Sequence, residues 1–149
     1  MEDWRRVDVD QYDPEKQFIA DDLELPNYSA QDLEPKIQQI RQYIGSNDLV
    51  NALKSCVQDP PYGSTDIVKK GYLLTVLDVL NTAKQSEVKE LLSQLSIDEV
   101  DVLVKFIYVL MTTEEGQKSG GALLGWFDKA ITVVGEGPIV RYMSDPYRM

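Results

Sequence analysis

Three aspartates near the start of the chain, Asp8, Asp10 and Asp13, are the first residues whose type and spacing could do chemistry. Carboxylates at alternate positions open the loops that bind Ca²⁺, because hard cations prefer oxygen ligands. Such a loop also needs glycine at its sixth position and a bidentate glutamate at its twelfth. Here the sixth position is Asp13 and the twelfth is Ile19. The segment therefore predicts a solvated acidic surface and no metal site.

General acid–base catalysis is the second chemistry to consider, and near neutral pH it most often uses histidine. The chain contains no histidine and a single cysteine, Cys56. This cysteine lies on the apolar side of a predicted helix without a partner that could activate its thiol, so we expect a small core residue. The acidic pairs at 21–22 and 114–115 lie in predicted loops, with no apolar pocket to raise a carboxyl pKa. The sequence therefore predicts a protein that is not an enzyme and holds no cofactor.

Size and charge limit the classes of partner. The chain has 149 residues, which suits one domain, and its net charge of −10 disfavours nucleic acid, because phosphate contacts require clustered lysine and arginine. The longest near-apolar run, residues 100–111, is too short for a bilayer and contains Asp101 and Lys105, so no membrane partner is expected. A lone cysteine and the lack of a charged-then-apolar leader favour a reducing, cytosolic location.

The stretch 96–111 predicts a buried central helix around which the other elements are arranged. Ser96 and Glu99 have the spacing of a capping box, which satisfies two free N–H groups at a helix start. Only Asp101 and Lys105 are expected to need water. Two neighbouring apolar stripes have helical spacing: Val100, Leu103, Val104, Ile107, Leu110 and Met111 in the first, and Val102, Phe106 and Val109 in the second. Other helices must cover both.

Amphipathic segments on either side predict the remaining helices. The expected spans are 33–44, capped by Asp32 and ended by Gly45; a second opened by Asn47 and stopped by the Asp-Pro-Pro at 59–61; 66–84; a short helix capped by Ser86; 123–134, closed by Gly135; and 139–143, after Pro138. The polar residues 112–121 predict an exposed loop. The predicted fold is all-α, an αα-superhelix of about seven helices with an extended N-terminal arm.

Residues 1–31 differ in composition from the rest of the chain. They carry nine acidic residues against three basic ones, with two prolines and no helical period. Val7 and Val9 alternate with Asp8 and Asp10, a period that predicts an extended segment with one apolar side. Such a segment either orders on a partner or remains a frayed tail without a role. We therefore expect an acidic arm over 1–31 and a helical core domain over 32–149.

Five segments together resemble one known family. They are WRRVDVDQYD at 4–13, DPPY at 59–62, DVLVKFIY at 101–108, ALLGWFDKA at 122–130 and GEGPIVR at 135–141. In this order they are similar to the sixteen-kilodalton subunit five of the actin-related protein 2/3 complex. The resemblance covers nearly the whole chain.

The resemblance implies a non-catalytic structural subunit of a seven-protein assembly that nucleates branched actin filaments in the cytoplasm, at cortical actin structures. Its core would be an αα-superhelix that sits on subunit four and the propeller-like subunit one. Its arm would tether actin-related protein 2, and contact with actin filaments would be indirect. The implied arm residues are Trp4, Arg5, Arg6, Val7, Asp8, Val9, Asp10 and Tyr12, and the implied core or interface residues are Trp126, Ile139, Val140 and Arg141.

Two other classes of function stay open on the residues alone. The first is a stand-alone helical-repeat adaptor that binds peptides in a groove. The second is a small enzyme that uses carboxylates alone, which would need an apolar pocket holding two of them within about 10 Å.

Overall fold

The computed structural model describes residues 22–149, and this part of the chain consists of eight helices joined by short turns, with no strand among them. The all-α prediction is confirmed for this range. The helices are α1 (Ala30–Gly45), α2 (Leu49–Val57), α3 (Asp66–Thr82), α4 (Val88–Ser93), α5 (Ile97–Thr112), α6 (Glu114–Lys118), α7 (Ala122–Val134) and α8 (Gly137–Ser144). Residues 1–21, which include most of the predicted arm, lie outside the described residues.

The central helix is α5, as the apolar stripes predict. It packs against α2, α3, α6, α7 and α8, and it buries Val100, Leu103, Val104, Lys105, Phe106, Ile107 and Leu110. The predicted capping box is present: the Ser96 hydroxyl accepts from the Glu99 amide at 3.2 Å, and the Ser96 amide donates to the Glu99 carboxylate at 2.7 Å. Two of the N–H groups at the helix start are thereby satisfied.

Lys105 corrects the prediction that this side chain needs water. It is only 4% exposed. Its Nζ lies 2.5 Å from the Asp145 carboxylate and donates to the Tyr62 hydroxyl at 3.0 Å. A buried ammonium is tolerated only when it is paired and hydrogen-bonded, and both partners come from distant parts of the chain.

Three of the predicted N-caps are not the residues that cap the helices. Helix α1 begins at Ala30 because Ser29 is its N-cap, and Asp32 is the third residue of a capping box with Ser29. The hydrogen bonds from Ser29 lower the pKa of Asp32. Helix α2 has Asp48 as its N-cap, while Asn47 takes a left-handed conformation with φ of 58° that turns the chain between the helices. The N-cap position of α4 is the residue after Ser86 and has no side-chain cap.

The predicted loop at 112–121 is also corrected, because it contains the short helix α6. Thr113 caps this helix by accepting from the Gly116 amide at 3.1 Å. The turn brings Gly116 so close to α5 that a Cβ there would lie 2.0 Å from the Leu110 carbonyl oxygen. Composition marked the segment as polar and glycine-rich, but the glycine serves close packing against α5. Gly135, which was predicted to end α7, has the expected positive φ, 79°.

Residues 25–28, assigned to the arm by composition, pack on the helical core. The Tyr28 amide donates to the Ser64 hydroxyl at 2.8 Å, and the Gly63 amide donates to the Pro26 carbonyl at 2.8 Å. A Cβ on Gly63 would meet Leu25 at 2.8 Å, so this approach requires glycine. The division into arm and core stays a prediction for residues 1–21. Among the helices of residues 22–149, none is both long enough and apolar enough to cross a bilayer.

Candidate interaction surface

Helix α8 is held against the central helix by an aromatic stack. The rings of Tyr142 on α8 and Tyr108 on α5 lie 4.5 Å apart between centroids and are nearly parallel, at 12°. Phe127 on α7 meets the same Tyr108 ring edge-on at 5.3 Å. Pro138 stands in the first turn of α8, where its missing N–H costs nothing, and its side chain is buried. One side of α8 is thus fixed to α5 and α7.

The opposite side of α8 presents apolar side chains to solvent. Val140 is 66% exposed and Met143 is 73% exposed. The two residues are three positions apart and therefore neighbours on one helix face. Ile139 beside them is half-buried. Apolar side chains grouped on an exposed face are typical of protein–protein contacts. We call Val140 and Met143 the α8 face.

Arg141 makes an intramolecular contact. Its guanidinium binds the Asp101 carboxylate through two nitrogens, Nε and Nη2, with Nη2 to Oδ1 at 2.9 Å. The hydrogen bond to Asp101 raises the pKa of Arg141. This exposed pair adds a second tie between α8 and α5. Arg141 is therefore engaged within the chain, whereas Val140 and Met143 of the α8 face are exposed to solvent.

Trp126 lies in the core. It is fully buried on α7, and its indole Nε1 donates to the Leu80 carbonyl oxygen at 2.9 Å. Leu80 is within the last turn of α3, where carbonyl groups have no partner inside the helix. Trp126 therefore fills the interior and caps α3 at the same time. The eight implied arm residues between positions 4 and 12 lie outside the described residues.

The chemistry available to Cys56 is that of a core residue. The side chain is fully buried, and this burial raises the pKa of its thiol to about 12. Nucleophilic cysteines instead have lowered pKa values and access to solvent. Within residues 22–149, no group of three or more His, Cys, Asp and Glu side chains is placed to hold a metal ion.

A groove of about 290 Å³ between α1 and the end of α2 is lined by two carboxylates, Asp32 and Asp59. Asp32 is held by its capping box, which lowers its pKa and so disfavours the protonated form that a general acid needs. Lys36, also in the groove, donates to the Gln58 carbonyl and to the Asp59 carbonyl, the latter at 3.3 Å. Asp32 and Lys36 in this groove thus already cap the ends of helices.

Comparison with known proteins identifies the family. The model of the family described as ARP2/3 complex 16 kDa subunit (p16-Arc) matches residues 3–149. The chain belongs to the p16-Arc family. It is 38% identical over 148 residues to actin-related protein 2/3 complex subunit 5 of Saccharomyces cerevisiae, covering 96% of each chain. It is 31% identical to the probable subunit 5 of Caenorhabditis elegans, covering 99% of this chain and 97% of the relative. It is 30% identical to the human subunit 5-like protein, covering 95% and 91%.

In this p16-Arc member, sequence reasoning missed the exposure of Met143 and the contacts of Lys105. Met143 had a detectable signal, because it lies three residues after Val140 on a predicted helix. The contacts of Lys105 had none, since Tyr62 and Asp145 are 43 and 40 positions away from it in the sequence. Such contacts become visible only when the helices are packed.

Proposed function

We propose that the chain is a non-catalytic structural subunit of an actin-related protein 2/3 complex, the assembly that nucleates branched actin filaments. The observation that carries this proposal is the match of the p16-Arc family model to residues 3–149. The proposed partners are subunit four, subunit one and actin-related protein 2, with actin filaments contacted indirectly. The proposed location is the cytoplasm, at cortical actin structures. A buried Cys56 with a raised thiol pKa and a groove whose carboxylate and lysine cap helices both support a role without catalysis.

The helical core docks on neighbouring subunits, and we assign the α8 face to this contact. Val140 and Met143 are exposed although burial of such side chains gains roughly 1.5–3 kcal/mol each. The remaining side of α8 is occupied by the Tyr108 stack and the Asp101 pair, so the helix is presented rigidly. A rigid apolar face binds with little loss of conformational entropy.

Paired substitutions test this docking. Val140→Asp with Met143→Asp places charge on the α8 face, and co-purification with the neighbouring core subunits should weaken by about 100-fold or more, because two apolar contacts are lost and two carboxylates are desolvated. The matched control is Ile67→Asp, an apolar residue that is 86% exposed on a different helix, α3. Both proteins should keep the thermal stability of the parent. Full assembly of the double variant, or loss of assembly in the control instead, would assign docking to another face.

The arm tethers actin-related protein 2 through its apolar side. This part of the proposal is supported by the alternation of Val7 and Val9 with aspartates in the sequence. Val7→Asp with Val9→Asp should weaken the hold on actin-related protein 2. Asp8→Asn is the control and should do less, because an exposed carboxylate contributes only about 0–1 kcal/mol even when it is paired. Equal loss in both proteins would mean that the apolar side is not the side that binds.

Removing residues 1–21 separates tethering from docking. The deletion stops at 21 because Pro26 and Tyr28 hydrogen-bond to the turn at 63–64. The shortened chain should still join the core subunits, while the overall hold on actin-related protein 2 falls by a factor of about 10² or more, since a tether raises the effective concentration of its partner. Pull-down through a neighbouring core subunit measures both recoveries. A shortened chain that no longer assembles would place the arm within the docking contact.

A further inference from the structure

The segment that follows α8, residues 145–149, folds back across the helical core and is here called the clasp. Asp145 pairs with Lys105 on α5 at 2.5 Å, and the Tyr147 ring lies 5.7 Å from the ring of Tyr62, which precedes α3. The guanidinium of Arg148 lies over the Tyr142 ring at 4.8 Å. Met149 packs against the core. Four of its five residues thus contact α5, α8, the turn before α3 or the core.

Met149 occupies a defined place. It lines a groove of about 200 Å³ between α3 and α5, together with Leu73, Leu74, Val109 and Leu110. The lining also includes Lys70 and Glu115, which form an ion pair at 3.0 Å. The end of the clasp therefore forms one wall of this groove and is partly buried against the core.

The Lys105–Asp145 ion pair anchors the clasp to α5. The Lys105 side chain is only 5% exposed and that of Asp145 is 25% exposed, so the pair is largely removed from water. Lys105 also donates to the Tyr62 hydroxyl, and its ammonium lies 4.5 Å from the centre of that ring. A buried charge that loses its counter-charge is strongly destabilising. The ammonium on α5 therefore holds Asp145, and with it the whole clasp, in place.

We propose that the clasp is a positioning device that fixes α8 on the core, and that opening it reduces docking while the helices α1–α7 stay folded. The second half rests on the proposed function, because it assigns docking to the α8 face. The clasp is joined to α8 at two points: Asp145 directly follows the helix, and the Arg148 guanidinium lies over the Tyr142 ring within it. With the clasp open, α8 keeps the Tyr108 stack, the buried Pro138 and the exposed Arg141–Asp101 pair, but loses the contacts made by Asp145 and Arg148.

Two variants open the clasp in different ways. Asp145→Asn leaves the Lys105 ammonium buried without a counter-charge, and we expect the melting temperature to fall by about 10 °C. Lys105→Leu combined with Asp145→Asn removes both charges, and an apolar side chain at the buried position should restore most of that loss. The combined variant is therefore expected to keep the fold although the Lys105–Asp145 ion pair is absent. The control is Lys118→Leu with Glu114→Gln, which removes an exposed lysine–carboxylate pair on α6.

Methionine methyl NMR of the full chain reads the clasp directly, because the sequence contains only four methionines. In the combined variant the Met149 methyl signal should shift to the position of a solvated methionine and lose its cross-peaks to the groove, while Met111 on α5 stays in place. The control should leave Met149 unchanged. A Met149 signal that keeps its position and cross-peaks in the combined variant would overturn the claim that the Lys105–Asp145 pair holds the clasp on the core.

Docking of the same proteins tests the second half of the proposal, that opening the clasp reduces docking. Co-purification of the combined variant with the neighbouring core subunits should fall at least tenfold relative to the control pair. Unchanged docking with a shifted Met149 signal would overturn the positioning role. Failure of the proposed function gives a different pattern, in which the parent chain itself recovers none of the neighbouring core subunits, whatever the Met149 signal shows.

Discussion

Replacing Trp126 by alanine is the change that most directly probes how this fold is held together. The side chain is fully buried on α7, in contact with the core that α3, α4 and α5 share. Truncating a buried tryptophan costs about 3–5 kcal/mol, since apolar contacts are lost and a cavity remains. The total stability of a domain is about 5–15 kcal/mol. For a chain of this size the loss corresponds to a fall in melting temperature of roughly 10–20 °C.

A second substitution separates volume from hydrogen bonding. Trp126→Phe keeps most of the apolar contact but removes the donor to the Leu80 carbonyl, which lies 2.9 Å from Nε1. A buried carbonyl left without a donor costs about 1–3 kcal/mol. The expected order of stability is therefore parent, then phenylalanine, then alanine.

Urea unfolding followed by circular dichroism measures these differences on the isolated chain. Leu124→Ala on the same helix is the control, because Leu124 is 63% exposed and its truncation should change the unfolding free energy by no more than about 0.5 kcal/mol. An alanine variant at 126 that unfolds with the parent would refute a core role for Trp126. A phenylalanine variant as stable as the parent would refute the cap on α3.

Three further predictions follow from single sites. Ser96→Ala should lower the unfolding free energy by about 1 kcal/mol through loss of the cap on α5, and an unchanged urea midpoint would contradict this. Cys56, with its thiol pKa raised by burial to about 12, should react with iodoacetamide at pH 8 only after unfolding, and rapid labelling of the native chain would show that the thiol is accessible. Gly116→Ala should lower the unfolding free energy by about 1–3 kcal/mol, because its Cβ would lie 2.0 Å from the Leu110 carbonyl oxygen. Gly71→Ala has nothing within 4 Å of its Cβ and should stabilise α3 in the same urea unfolding experiment.

Local signals in the sequence predicted the parts of the fold that local interactions determine. The capping box of Ser96 and Glu99 joins residues three apart, and it fixed the start of α5 correctly. The stop at Gly135 depends on the conformation of one residue. Helix α1 shows the limit of such signals, because Ser29 and Asp32 are both good N-cap residues and only the reciprocal hydrogen bonds decide between them.

Sequence patterns do not predict contacts between residues that are far apart in the chain. Lys105 looked like a solvated residue on an otherwise apolar helix, and its burial depends on an aspartate 40 positions later. The exposed apolar side chain of Met143 could be suspected from its spacing to Val140, but its exposure depends on which side of α8 meets Tyr108. Trp126 was expected in the core or at an interface, and the acceptor at Leu80 places it in the core.

Native affinity purification of the tagged full-length chain, with mass spectrometry of what is recovered, tests the central claim most directly. We expect the chain to be recovered with actin-related protein 2 and the other subunits of the complex, at near-equal amounts, and to sediment with them as one large assembly. A chain recovered as a free monomer, with none of those subunits, would contradict its role as a subunit and favour a stand-alone helical adaptor.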